Sequence, residues 1–539
     1  MRFPVFCWFV AVALLVIAFN VIPYGIAIKN TPLGSVYSGQ LFLPSDIPTY
    51  YSKMQSGYEG NFFYTNLFTT ETPNPAVPLH LFYTTLGVFT RFIGSDVVSV
   101  FFAARFFCGL IFLFSIFWFC MRVVSPKREA IVSFLLASFA SGMGWLFFLG
   151  NRNLHELLDI YVPAFMPLAR FSSVPHVSIA SALFIFALYG MLRYRETLQK
   201  KFLVLIALTL FFENVILPYY AIGLYGIIGV YMLFSLSSKK LSIRQGADVF
   251  FAACLSLSSF AFMAFVALAN PLWKMSQLEA FVRVPSFTGF MISFGLLGIF
   301  AFAEILARTK KMLILRDSRS LLFLCWIFVP LILAFAPFIP QRSRMFEIPF
   351  VVPLAIFSSY FIFRIGRKFT EILVPQIRFL VIGACACVVV FCMAISSWVV
   401  VARIPSLLET ENISTMMYIP TELLGASEWI QENSERSDAL FSSAQVGNML
   451  PFLTSRYVYI GHWSETIHFW DKIDIVRKFY RGELSVEEVR KLFLDNRIRF
   501  VLLTSYERAL GAQGLERYSS FLKKEFEKGS VTMYRVILP

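Results

Sequence analysis

The sequence predicts an all-α polytopic membrane domain followed by a soluble α/β domain, on three observations. Apolar runs of the length that crosses a hydrocarbon core, about 20 residues, recur throughout residues 1–402. The chain is 58% hydrophobic and only 15% charged, with a mean hydropathy of +0.69, whereas soluble domains carry roughly 25% charged residues. From Arg403 onward the long runs stop and short alternating apolar stretches replace them.

Residues 3–28 form the first span. Arg2 precedes it and no small-residue cleavage site closes it, so it reads as a retained anchor with a cytoplasmic N-terminus. Residues 29–96 are the first outer loop, in which Pro78–Ile93 is apolar but short and suits an interfacial or re-entrant segment. Spans follow at 97–119, 130–149 and 176–192. Residues 202–236 are apolar throughout with lysines at both ends, which requires two short helices meeting at a corner marked by Asn214 and Pro218. Each arm is short for a span, so a half-depth hairpin or a thinned bilayer is expected. Further spans at 248–269, 288–307, 320–337, 348–363 and 379–402 bring the crossings to eleven and put the C-terminal region outside. Lys and Arg support this sidedness, with 20 in the inner segments against 9 in the outer segments before residue 403.

The chain thus divides into a transmembrane domain, residues 1–402 with the loop 29–96, and an extracytoplasmic domain, residues 403–539. In the latter GASEWIQENS and SVEEVRKLFLDN read as helices, the second with a capping box. ALFSS, RYVYIG, RIRFVLLTS and VTMYRVIL read as strands. The net charge of +14 does not indicate nucleic acid, because the basic residues lie mostly between apolar runs, where topology accounts for them. All eight cysteines fall in apolar runs, which excludes a disulfide framework and a cysteine metal site. The five histidines are scattered, so no motif specifies a divalent metal and no cofactor is expected.

The stretch Leu43–Pro75 is the longest polar interruption of the membrane domain. Asp46 stands alone there at a helix start, positioned as an N-cap, with Gly57 as the stop. Ile47, Tyr50, Tyr51, Met54 and Tyr58 form a helical stripe expected to lie in the membrane interface. An acid in that position is a cap, a catalytic carboxylate, or both. Glu71 is a second carboxylate of the site, a metal ligand, or a solvated loop acid. Pro175-His176 opens the fourth span at its outer end, where an imidazole is a packing residue or a member of an outer site. Arg342 and Arg344 sit in an outer loop against the charge bias, as snorkelling side chains or as phosphate ligands, with Glu347 available to neutralise one. Arg105 is a charge inside the second span and a functional candidate on that ground. His462 and Glu465, in GHWSET, carry no catalytic assignment. A transporter or lipid flippase would show internal symmetry and mid-span polar residues, and Arg105 is nearly alone in that respect. A non-catalytic assembly protein is the other alternative.

Several motifs occur in one order: S-D-x-P-x-Y-Y from Ser45, T-x-E ending at Glu71, P-H at His176, and Gln-Arg-x-Arg at Gln341–Arg344. In the tail follow W-I-x-E-N-S from Trp429, G-N-x-x-P from Gly447 and G-H-W-x-E-T from Gly461. In this the chain resembles bacterial GT-C-fold integral membrane glycosyltransferases, distant from the mannosyltransferase and oligosaccharyltransferase families. The resemblance implies an inverting glycosyltransferase of a bacterial or archaeal cell membrane. It moves a sugar from a polyprenyl-phosphate donor to a glycan, lipid or protein acceptor on the extracytoplasmic face. It implies Asp46 as base or acceptor-orienting group, Arg344 on the donor phosphate with Arg342 in reserve, and His176, Glu71, Tyr50 and Arg105 as possible site lining. The Asp46 loop has no D-D or D-E pair, which departs from the mannosyltransferase pattern.

Overall fold

The computed structural model describes residues 3–41, 45–149, 157–161, 167–170, 174–239, 241–279, 286–315, 317–337, 342–369, 374–402 and 416–538. The chain folds into two compact units. The first comprises Met1–Pro23, Ala103–Phe262 and Val282–Ile404, and the second Tyr24–Phe102, Met263–Phe281 and Pro405–Pro539.

Helices stand wherever the sequence predicts spans. Among the described residues eight are long and apolar enough to cross a membrane: Phe6–Lys29, Val97–Val123, Lys127–Phe147, Pro175–Thr197, Pro218–Ser237, Ile243–Ala269, Phe287–Arg308 and Ser318–Phe335. The chain is therefore an integral, multi-pass membrane protein. The remaining three predicted crossings are also helical. Lys201–Ile216 has 16 residues, Val351–Phe369 ends in a basic turn, and Pro375–Met393 is followed by the separate helix Ile395–Ala402.

The predicted hairpin is present but asymmetric. Its first arm, 16 residues long, reaches only about 24 Å at roughly 1.5 Å per residue, whereas the second has 20 residues, a full span. The break falls at Leu217–Pro218, because Pro218 has no N–H to continue the ladder and takes the first position of the new helix. Asn214 is not part of the corner. It lies inside the first arm, and its Nδ2 donates to Ser256 O at 2.7 Å and to the Tyr225 hydroxyl at 3.0 Å. Burial of an amide in apolar surroundings requires such partners.

The second unit is built on a five-stranded sheet. With β1 (Ser35–Tyr37) and β2 (Tyr418–Pro420) forming a separate antiparallel pair, the sheet holds β3 (Ala439–Phe441), β4 (Tyr457–Val458), β5 (Ile498–Leu503), β6 (Leu522–Lys528) and β7 (Val531–Val536). The order is β4-β3-β5-β7-β6, with β3, β4 and β5 parallel and β7 antiparallel to both neighbours. One face packs Leu440, Phe500, Leu502 and Met533 against Ile430 of the Thr421–Asn433 helix. The other packs Phe441 and Val501 against Phe479 and Phe493. The predicted capping box holds, Ser485 and Glu488 each bonding the other's backbone. The edge strand β6 has no counterpart among the predicted strands, because LKKEFEK keeps its charges on an exposed edge and shows no apolar alternation.

The segment between the first two spans contributes to this unit's core. Phe68 is fully buried among the sheet residues, a placement that stabilises by about 1.5–3 kcal/mol. Its neighbours dock by main-chain bonds: Val458 N–H donates to Leu67 O at 2.9 Å and the Thr466 hydroxyl to Phe68 O at 2.7 Å. The Ile47–Tyr58 helix packs on the Leu81–Ile93 helix and on the Ala444–Thr454 helix. Ile47, Tyr51 and Met54 are completely buried there. The stripe faces protein, not the membrane interface as expected, because periodicity shows that a face is covered without showing by what.

Gly57 does not end its helix, which runs to Tyr58. Its function is steric. A Cβ on Gly57 would lie 2.0 Å from Thr84 O, and one on Gly87 1.9 Å from Met54 O, so the two helices cross with their backbones in contact. Gly87→Ala forces them apart and is expected to destabilise by about 1–3 kcal/mol. A thermal melt of the purified protein checks this, and an unchanged midpoint refutes the crossing.

Candidate active site

Asp46 is at the N-cap position but does not cap. Its backbone is in the right-handed helical region and its carboxylate makes no cap hydrogen bond. The sequence explains this. The second helical residue is Pro48, which has no N–H, and the amide of Thr49 is already taken by the Asp46 carbonyl at 3.1 Å. With the usual cap donors removed, the carboxylate turns outward.

It turns toward His462. Nε2 of His462 lies 3.0 Å from Asp46 Oδ1, with the imidazole 5% exposed and the carboxylate 33% exposed. The other ring nitrogen fixes the proton. Nδ1 accepts from the Ser464 backbone N–H at 3.3 Å and stands 3.0 Å from the Ser464 hydroxyl. A main-chain amide only donates, so Nδ1 is bare and Nε2–H donates to Asp46. The Ser45 hydroxyl donates to the same Oδ1 at 3.2 Å. Asn448, from the Ala444–Thr454 helix, donates to Ser45 O at 2.8 Å. Gly447 lets this helix approach, since a Cβ there would lie 1.9 Å from Ile460 O. The glycines of G-N-x-x-P and G-H-W thus belong to one close contact.

A second link joins the same two segments. Lys53, 1% exposed, pairs with Glu465 at 2.7 Å and lies over the rings of Tyr50 and Tyr64 at 5.4 and 5.6 Å. Asn66 Nδ2 donates to the Glu465 carbonyl at 2.8 Å. Burial, aided by the Glu465 carboxylate, pushes the Tyr64 phenol far above its ordinary range, so it stays protonated. Tyr50 stacks on Tyr83 with ring centroids 4.5 Å apart. Glu71 is half-buried and ion-paired, not a freely solvated loop acid. Lys472 sits 2.7 Å from its carboxylate and Thr69 hydrogen-bonds it. Burial works against its charge, but Lys472 and Thr69 together hold its carboxyl below the usual range. Ser45 and His462 also line a cavity of about 230 Å³ whose walls include Gln445, Asn448, Trp463 and Arg477.

Arg342, Arg344, His176 and Arg105 belong to the first unit. Arg342 and Arg344 lie on a short 3-10 helix, Arg342–Glu347. Arg344 Nη1 is 2.6 Å from Glu347 Oε1 and the guanidinium is 39% exposed. Beneath it the Glu347 carbonyl accepts from the Tyr220 hydroxyl at 2.5 Å and from the buried Arg170 guanidinium. Arg170 therefore fixes the turn that presents Arg344. His176 is the second residue of its helix and half-buried, and Arg105 is fully buried. Of the sequence candidates, Asp46, Tyr50 and Glu71 fall in the second unit. His462 and Lys53 were not among them. Among the described residues no three His, Cys, Asp or Glu side chains are grouped to hold a metal.

A bundle of membrane helices joined to a C-terminal α/β domain is the architecture of GT-C membrane glycosyltransferases, and the fold of this chain is theirs. It is similar to the apo oligosaccharyltransferase of Archaeoglobus fulgidus (TM-score 0.61, 12% identity, covering 97% of this chain and 73% of that one). It is also similar to apo ArnT from Cupriavidus metallidurans (0.50, 10%, 97% and 97%) and to a variant of the arabinofuranosyltransferase AftD from Mycobacteria (0.54, 12%, 97% and 42%). No protein-family model matches the chain, and no curated protein matches it in sequence.

Lys53→Met leaves Glu465 buried without its cation and is expected to cost about 3–5 kcal/mol. Adding Glu465→Gln removes the orphaned charge and restores most of that loss. Denaturation of the two single variants and the double variant checks the coupling; additive losses would show that the pair does not join the segments.

Proposed function

We propose that the chain is an inverting glycosyltransferase acting on the extracytoplasmic face, with a polyprenyl-phosphate sugar as donor and a glycan, lipid or protein as acceptor. One observation carries the reading. In a GT-C fold, an acid of the first outer loop is denied its cap role and held by an imidazole, with a third of its carboxylate open to solvent. The archaeal oligosaccharyltransferase of this fold has been solved with a dolichol-phosphate and an inhibitory peptide (TM-score 0.54), which supports a lipid-phosphate donor. In this reading the N-terminus is cytoplasmic and residues 403–539 lie outside with the Asp46 loop.

The chemistry balances as follows. The acceptor's nucleophilic atom attacks the anomeric carbon from the side opposite the phosphate. The bond from that carbon to the phosphate oxygen breaks, and polyprenyl phosphate leaves with the electron pair. Asp46 takes the acceptor proton, a contribution of about 10²–10⁴-fold. Arg344 holds the phosphate, and it exchanges Glu347 for a phosphate oxygen as the donor arrives. Polar walls from Gln445, Asn448 and Arg477 beside His462 suit an acceptor chain. No step requires a nucleotide.

Cells lacking the gene are expected to accumulate the donor, and their extracted lipid-linked sugar fraction serves as substrate. Supplied to purified protein with membranes, its consumption is followed by mass spectrometry. Asp46→Asn is expected to lower consumption by about 10²–10⁴-fold with an unchanged melt; full activity would remove Asp46 as the base. Arg344→Ala is expected to raise the half-saturating amount of lipid about 10-fold or more, the loss of a charge-assisted bond, and an unchanged value would take Arg344 out of the phosphate role.

A further inference from the structure

We propose that His462 is the positioning residue of Asp46, a neutral imidazole that orients the carboxylate through Nε2–H. The inference rests on Asp46 as base and goes beyond it by assigning a role to the C-terminal segment. Three features carry it.

The tautomer is fixed by the chain. Ser464 N–H occupies the Nδ1 lone pair, so the ring's only proton is on Nε2, 3.0 Å from Asp46 Oδ1. His462 is thereby excluded as the base itself, since neither nitrogen offers a free lone pair to an acceptor. Its ring is also held in place. The Gly461 amide donates to the Thr466 hydroxyl at 3.0 Å, and Thr466 in turn donates to Phe68 O. The turn that carries His462 is pinned to the loop that carries Asp46. Finally, Oδ1 accepts from both His462 and Ser45, two donors that together hold the carboxylate in one orientation. The acceptor's O–H or N–H bond breaks toward the Asp46 carboxylate while His462 keeps its own proton throughout.

Two amides of similar size separate positioning from packing. Glutamine at 462 places its NH₂ near the Nε2 position and still donates to Asp46. Asparagine places it near Nδ1 and does not reach. With the extracted lipid-linked sugar fraction as substrate, His462→Gln is expected to stay near the wild-type rate. His462→Asn is expected to fall about 10- to 100-fold in rate at saturating lipid, with an unchanged half-saturating amount and an unchanged melt. Equal rates for wild type and His462→Asn, or equal losses in both variants, overturn the assignment. A wild-type rate in Asp46→Asn instead removes the base reading beneath it, so the two failures are distinguishable. Independently of folding in the variants, ¹⁵N NMR of the histidine-labelled wild-type chain, assigned with His462→Gln, is expected to show Nε2 protonated and Nδ1 bare. The opposite tautomer overturns the proposal.

Discussion

The second unit depends on the docking of the first outer loop onto the C-terminal sheet. Phe68 supplies apolar area to a core made otherwise of residues beyond position 416, and the main chain at Leu67 and Phe68 accepts bonds from Val458 and Thr466. Everything at the site follows from this register. The Ile47–Tyr58 helix is then pressed between two others, Lys53 meets Glu465, and Asp46 arrives opposite His462. The ion pair gives little net stability as such, because desolvation offsets most of its attraction. Its effect is on specificity: a slipped loop would strand a buried charge on each side.

The division of labour between the units reflects two solvents. In the first, helix ends and arginines decide the structure, because an unsatisfied polar group in hydrocarbon is costly. Hence the Asn214 amide is tied to a neighbouring helix, and Glu304 is shared by Arg308 and Arg364. In the second, sheet packing decides it. The Asp46 carboxylate in the second unit has both water access and a fixed geometry, since it is partly open while its partner His462 is buried.

Much of the fold was legible in the sequence because it rests on local quantities. Run length located the helices, charge placement required two arms between 202 and 236, and Pro218 located their break. Four of the five strands of the main sheet showed in their apolar residues, whereas LKKEFEK concealed an edge strand beneath its charges. The site was only half legible. Asp46 stood out as an isolated acid. His462 did not, because a lone histidine in a polar loop has no local pattern, and its partner is 416 positions away. The capping assignment of Asp46 missed that Pro48 removes a cap donor, although the proline was in plain view.

That separation of 416 positions also orders events during synthesis. Asp46 leaves the ribosome early, but the segment bearing His462 and Glu465 follows only after the last apolar helix. The closure is strongly non-local, and contacts of that kind form late. The nascent protein is thus inserted helix by helix before the segment that meets Asp46 and Lys53 has been made. A chain cut short anywhere before residue 462 lacks both His462 and Glu465, the two side chains that Asp46 and Lys53 meet.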